Sequence, residues 1–152
     1  TAVGYSSALM VLNCPNTHID TIEIDPLRAQ MAQQLWTTLC IDGNINSIVG
    51  DVDQILSEVV QGKTYDFVFL DGPKSRYLQH LQAIESNICS GGIVLADDVL
   101  FFGMVKGEDY VAHKHRTIVK NLRVFLQYLE SNNSFSTQLL DKGNGIAIIK
   151  KK

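Results

Sequence analysis

Asp71, Asp97 and Asp98 follow directly on two short apolar runs, residues 65–70 and 93–96, which read as neighbouring strands of one sheet. Three carboxylates projecting from adjacent strand ends would repel one another, and a hard divalent cation resolves that repulsion. Oxygen ligands suit magnesium, with manganese as the second choice, and require no imidazole or thiolate. Glu23 ends a further apolar run and lies 19 residues beyond Gly4. Doubly wound nucleotide folds place an acid that binds a ribose diol about 20 residues after their glycine turn. Such an acid signals a ribose, not a particular cofactor, and each of these carboxylates has a plain reading as a helix cap, turn residue or solvated strand end.

The elements that must position these residues alternate along the chain. Residues 5–12 form a short apolar helix, and residues 19–24 alternate as a strand with Ile22 and Ile24 on one face. Asp25-Pro26 opens a helix to about Leu39, because Asp caps free N–H groups and Pro suits the first helical position. Strands are expected over 45–49, 65–70 and 93–96, and helices over 52–60, near 77–88 and over about 117–130. In that last helix Ile118, Leu122, Phe125 and Leu129 recur at helical spacing. Gly91-Gly92 reads as a turn, and residues 99–115 as a longer irregular stretch. Two final strands, 135–140 and 146–149, flank Lys142-Gly143-Asn144-Gly145, whose Asn-Gly is a hairpin signal. The order implies an α/β fold: a doubly wound, mostly parallel sheet ending in an antiparallel hairpin, with ligands at the carboxyl ends of its strands. A sheet of this type needs a strand before the Gly4 turn. The sequence opens at Thr1, not Met, so that first strand is expected upstream, between the strands that end at Ile24 and Leu70.

With 152 residues, 45% hydrophobic and 19% charged, one globular domain over 1–152 is expected, and disordered or fibrous classes are excluded. The net charge of -3 removes a global electrostatic argument for nucleic acid or an anionic membrane. Cys14, Cys40 and Cys89 are widely spaced and lack C-x-x-C pairing, which suits buried thiols in a reducing compartment, so a cytoplasmic protein with no membrane association is expected.

Four segments carry a family resemblance: Thr1-Ala-Val-Gly-Tyr-Ser-Ser7, Thr21-Ile-Glu-Ile-Asp-Pro26, Phe67-Val-Phe-Leu-Asp-Gly-Pro-Lys74 and Leu95-Ala-Asp-Asp-Val99. In this order and spacing they resemble the divalent-metal-dependent O-methyltransferases, which include the catechol and caffeoyl-CoA enzymes and share a Rossmann-like sheet. The segments 100–105 and 115–120 look most like the bacterial branch that methylates 5-hydroxyuridine in tRNA.

The resemblance implies S-adenosylmethionine as cofactor, with Glu23 on the ribose, Gly4 allowing close backbone approach, and Ser6 with helix-start amides on the methionine carboxylate. Asp51 and Val52 match the segment beside adenine, and Asp71 counts among the cofactor contacts as well as the metal ligands with Asp97 and Asp98. The family usually has Asn where Asp98 stands. Lys74 occupies the place of the catalytic lysine, which takes a proton if its pKa is lowered; the three acids work against that lowering unless a metal is present. The reaction implied is methyl transfer to a hydroxyl with an adjacent oxygen, the two oxygens chelating the metal. The acceptor expected is tRNA, with a small phenolic substrate as the alternative, and the protein is expected to be a homodimer.

Other readings are open. An NAD-dependent oxidoreductase would share the fold and Glu23 but leaves the three carboxylates unexplained, and a non-catalytic binding module is possible because fold does not fix function. His113, Lys114, His115, Arg116, Lys120 and Arg123 form a basic cluster, either a solvated helix face or a contact for RNA phosphates. Arg76 and Tyr77 read as helix-start charge and packing, His18 and His80 as incidental, and Tyr5, Trp36 and the other aromatics as core.

Overall fold

Asp25 begins the longest early helix by the means its sequence suggests: Oδ1 accepts from the N–H groups of Leu27 and Arg28, and Pro26 takes the first helical position. In the computed structural model, which describes residues 1–107 and 111–152, the chain divides into two compact units, Thr1–Leu56 and Ser57–Lys152. In the first unit, α1 (Tyr5–Asn13), β1 (Ile19–Glu23), α2 (Pro26–Thr38), β2 (Ile45–Val49) and the start of α3 (Val52–Val59) follow in that order. β1 and β2 pair in parallel, Ile19 opposite Ile45 through Glu23 opposite Val49. The core of this unit is Ala8, Val11, Ala32, Trp36, Ile41 and Ile45, with Trp36 wholly buried. β1 ends at Glu23, so Ile24 lies beyond the strand, exposed, and does not share a face with Ile22.

The second unit carries β3 (Tyr65–Leu70), α4 (Tyr77–Ile84), β4 (Ile88–Ala96), α5 (Arg116–Ser131), β5 (Phe135–Leu140) and β6 (Ile146–Lys151). Its four strands are ordered β3-β4-β6-β5, parallel between β3 and β4 and antiparallel in the other two pairings. The parallel pair followed by an antiparallel hairpin is the order the sequence implies. α4 packs on α5, where Tyr77 meets Phe125 edge-on with ring centroids 5.7 Å apart.

Several local expectations are corrected. Gly91-Gly92 is not a turn between elements but lies inside β4. Tyr65 pairs with Ile88 and Phe67 with Ile93, so β4 spends five residues where β3 spends two, and the glycines belong to this bulge. α4 ends at Ile84 because Glu85–Asn87 tighten into a 3-10 turn. On α5 the buried set is Val119, Leu122, Phe125 and Leu129, one step round the helix from Ile118. The three cysteines are free and exposed, at the end of α1, just after α2 and in the bulged start of β4. Tyr5, at the first turn of α1, is 65% exposed and is no part of the core. Of the irregular stretch over 99–115, residues 108–110 lie outside the described residues. No described helix is long and apolar enough to cross a membrane.

The hairpin between β5 and β6 does more than reverse the chain. The carbonyl of Gly145 accepts from the N–H of Val99, and that of Asn144 from the N–H groups of Leu100 and Phe101. Gly145 has φ +88°, and a Cβ there would overlap the Leu100 side chain. Gly145→Ala combines a left-handed backbone with overpacking, so it should lower unfolding stability in a denaturant titration by about 1–3 kcal/mol.

Candidate functional site

In the first unit, Glu23 is 8% exposed and its carboxylate is held at both oxygens. Oε2 accepts from the Ala2 N–H at 2.7 Å and Oε1 from the Asp25 N–H at 3.0 Å. Burial pushes its pKa up, but the backbone donors at Asp25 and Ala2, together with the Thr1 ammonium 3.6 Å from Oε2, outweigh burial and hold the carboxyl below the usual range. The Glu23 carbonyl also accepts from the Gly50 N–H at 2.9 Å. The turn at Ala2, the acid at Glu23 and the segment opening at Gly50 are therefore linked by hydrogen bonds through one residue. Asp51 begins α3: Oδ1 accepts from the Asp53 N–H at 3.0 Å, and its carbonyl accepts from Gln54 and Ile55. Val52 is the first residue of α3 and is half-buried.

Gly4 caps α1 at φ +81°, and Ser6 is exposed in the helix's first turn. A Cβ at Gly4 would lie 2.7 Å from the Trp36 Nε1, which donates to the Gly4 carbonyl at 2.9 Å. Trp36 is thus more than the core residue its sequence suggests. A buried indole N–H must find an acceptor, but which carbonyl it finds depends on a contact 32 residues away.

In the second unit, Asp71, Asp97 and Asp98 each present an oxygen, all within 4.8 Å of one another. The β3–β4 ladder ends at Leu70 opposite Ala96, which delivers the acids side by side. The Asp97 N–H donates to the Leu70 carbonyl at 3.1 Å, and the Asp98 N–H donates to Asp97 Oδ1 at 2.8 Å. Asp98 takes a left-handed backbone, φ +56°, which turns it back toward its neighbours.

Lys74 joins this group through Nζ, 2.8 Å from Asp71 Oδ1 and 3.4 Å from Asp98 Oδ2. Its ammonium also stands 5.5 Å from the centre of the Tyr77 ring. Burial pulls its pKa down, yet the bond to Asp71 and the contact with Tyr77 prevail and raise it well above the ordinary lysine value. That is the opposite of the direction a proton acceptor needs, and of the three acids the one responsible is Asp71. The Tyr77 hydroxyl is pushed up to about 12, by burial first, with Lys74 opposing.

The basic cluster divides. Arg123 and Lys120 are both exposed, but Arg123 is engaged, donating to the carbonyls of Val105, Met104 and Gly107. The His115 ring rests against Phe101, centroids 5.3 Å apart. At least Arg123 and His115 therefore hold the segment that follows the acids.

Known proteins resemble the chain in sequence and in fold. A catechol O-methyltransferase of Sus scrofa is 32% identical over 116 residues, covering 72% of this chain and 61% of that protein. Tapetum-specific methyltransferase 1 of Arabidopsis thaliana is 26% identical over 97% of the chain, which spans 65% of that relative's length. A crystal structure from Staphylococcus aureus, described as a caffeoyl-CoA O-methyltransferase, superposes with a TM-score of 0.90 at 26% identity, covering all of this chain and 73% of that one. The profile of the O-methyltransferase family matches residues 1–152 from end to end, and the chain belongs to that family.

Proposed function

We propose that the protein transfers a methyl group from S-adenosylmethionine to a hydroxyl of a small phenol that bears an adjacent oxygen. The observation that carries this reading is the cluster of three carboxylates with Lys74 at its edge. Its donor chemistry fits a divalent cation. Three carboxylate oxygens within 4.8 Å of one another are the kind of donor set a hard divalent cation takes. A magnesium ion held by Asp71, Asp97 and Asp98, with manganese as substitute, would supply Lewis acidity to the acceptor hydroxyl.

The rest is the work of the chain's own groups. Glu23 keeps lone pairs free beside its two backbone bonds and accepts from the ribose diol. Gly4, Ser6 and the first amides of α1 receive the methionine carboxylate. Asp51 and Val52 line the adenine. Lys74 Nζ takes the acceptor's proton as the neutral amine, so it first gives up its bonds to Asp71 and Asp98, which hold it charged, and releases its own proton to solvent. Vicinal oxygens are what the catechol and caffeoyl-CoA relatives' names have in common, and they favour a small phenol over the tRNA acceptor expected from the sequence. Arg123, offered there for phosphate contact, is occupied by backbone carbonyls.

Turnover of a catechol and of caffeoyl-CoA, with 5-hydroxyuridine nucleoside as a third acceptor, tests the reading. Methylation of either phenol should require added magnesium or manganese and cease in excess chelator. Asp97→Ala should lower it more than about 100-fold, beyond the ~10–100-fold that an outer-sphere partner is worth, without loss of cofactor affinity. Undiminished turnover in chelator refutes the metal assignment, and methylation of the nucleoside alone refutes the phenol.

Trp36 is the chain's one tryptophan, bonded to the turn assigned to the cofactor. Binding of S-adenosylhomocysteine should therefore change its fluorescence, and Trp36→Phe should remove the signal. Binding seen by calorimetry with unchanged emission would move the cofactor away from the Gly4 turn.

A further inference from the structure

The β3–β4 ladder stops one residue short of the acids: its last pair is Leu70 and Ala96, and Asp71 and Asp97 come next. Beyond that point two hydrogen bonds converge on the Leu70 carbonyl. One comes from the Asp97 N–H, and the other from the Tyr77 hydroxyl at 2.9 Å. The same hydroxyl lies 3.0 Å from the carbonyl of Asp97, so its single proton is shared between the two strand ends. Tyr77 is 1% exposed, which leaves water no ready access to replace it. Its ring is fixed edge-on against Phe125, and Lys74 stands over it.

We propose that Tyr77 is a positioning residue of the carboxylate centre, its hydroxyl clamping the ends of β3 and β4 so that Asp71, Asp97 and Asp98 stay within reach of one cation. This rests on the metal reading above and assigns the residue that sets the spacing. Like charges at the two strand ends push them apart, and past the last ladder pair one backbone bond, from the Asp97 N–H to the Leu70 carbonyl, joins them. The bifurcated hydroxyl adds a second tie across the same two strand ends. It also explains a tyrosine here: phenylalanine would fill the same space against Phe125 but could not span the two carbonyls.

The test is binding of manganese to the whole chain, followed by the loss of the free-ion paramagnetic resonance signal. Tyr77→Phe keeps the ring, so its circular dichroism should match the parent, while the manganese dissociation constant should rise about 10-fold, the lower end of what an outer-sphere partner contributes. Excess manganese should then restore turnover to Tyr77→Phe but not to Asp97→Ala, which lacks a ligand. Tyr128→Phe is the control: Tyr128 donates to Glu85 Oε2 at 2.9 Å and touches no acid of the cluster. Equal weakening by Tyr77→Phe and Tyr128→Phe would make the effect general loosening and overturn the proposal, as would unchanged affinity in Tyr77→Phe. If the parent chain itself retains no manganese, the metal reading has failed, a result distinct from a parent that binds and a variant that binds equally.

Discussion

Mutual repulsion among three carboxylates is the constraint around which the second unit is arranged. Their oxygens lie within 4.8 Å of one another, close enough for their charges to oppose one another. Each nearby feature opposes that repulsion in its own way. The parallel pairing of β3 and β4 brings the ends together, the Tyr77 hydroxyl bridges the carbonyls just past the ladder, and the Lys74 ammonium lies between Asp71 and Asp98. The β5–β6 turn supports the chain that leaves the cluster, through its bonds to Val99, Leu100 and Phe101, and Arg123 ties down the carbonyls further along.

The first unit handles its buried acid differently. Among the described residues Glu23 meets no cationic side chain in the role that Lys74 fills; its charge is stabilised by backbone N–H groups from Asp25 and Ala2, with the Thr1 ammonium 3.6 Å from Oε2. Backbone donors are fixed by the fold and cannot swing away, so the carboxylate keeps one orientation while its remaining lone pairs stay open to a diol. Lysine, by contrast, is a mobile partner that can be exchanged for another cation. The difference suits the roles proposed for them, a lasting ribose contact for Glu23 and a cation for the three acids.

Much of this was legible in the residues and some was not. The bounds of β2 and β3, the start of α2 and the final antiparallel pair follow from local pattern, because capping, apolar runs and the Asn-Gly turn act over a few residues. Gly91-Gly92 was misread as a turn because a bulge is defined by the partner strand's register, which one strand's sequence does not contain. The exposed cysteines and Tyr5 show the same limit: an apolar or weakly polar residue type does not reveal which side of an element faces the core. At the site, the identity of the acids was visible from their places at strand ends. The bonds from Trp36 to Gly4 and from Tyr77 to Leu70 and Asp97 were not, since they arise only when distant segments close on one another.

Asp98 stands in a left-handed backbone conformation while offering an oxygen to the cluster. Few side chains meet both demands. Glycine adopts the conformation at least cost but brings no ligand; glutamate brings a ligand on a longer arm but tolerates the conformation poorly; aspartate and asparagine alone combine a short oxygen-bearing side chain with tolerance of positive φ. The position is therefore free to vary in electric charge while its shape is locked. A lineage that needed a more or less anionic centre could make the exchange with one heavy atom, oxygen for nitrogen, and no movement of the main chain, so Asp98 is a natural place for evolution to adjust the hold on the proposed cation.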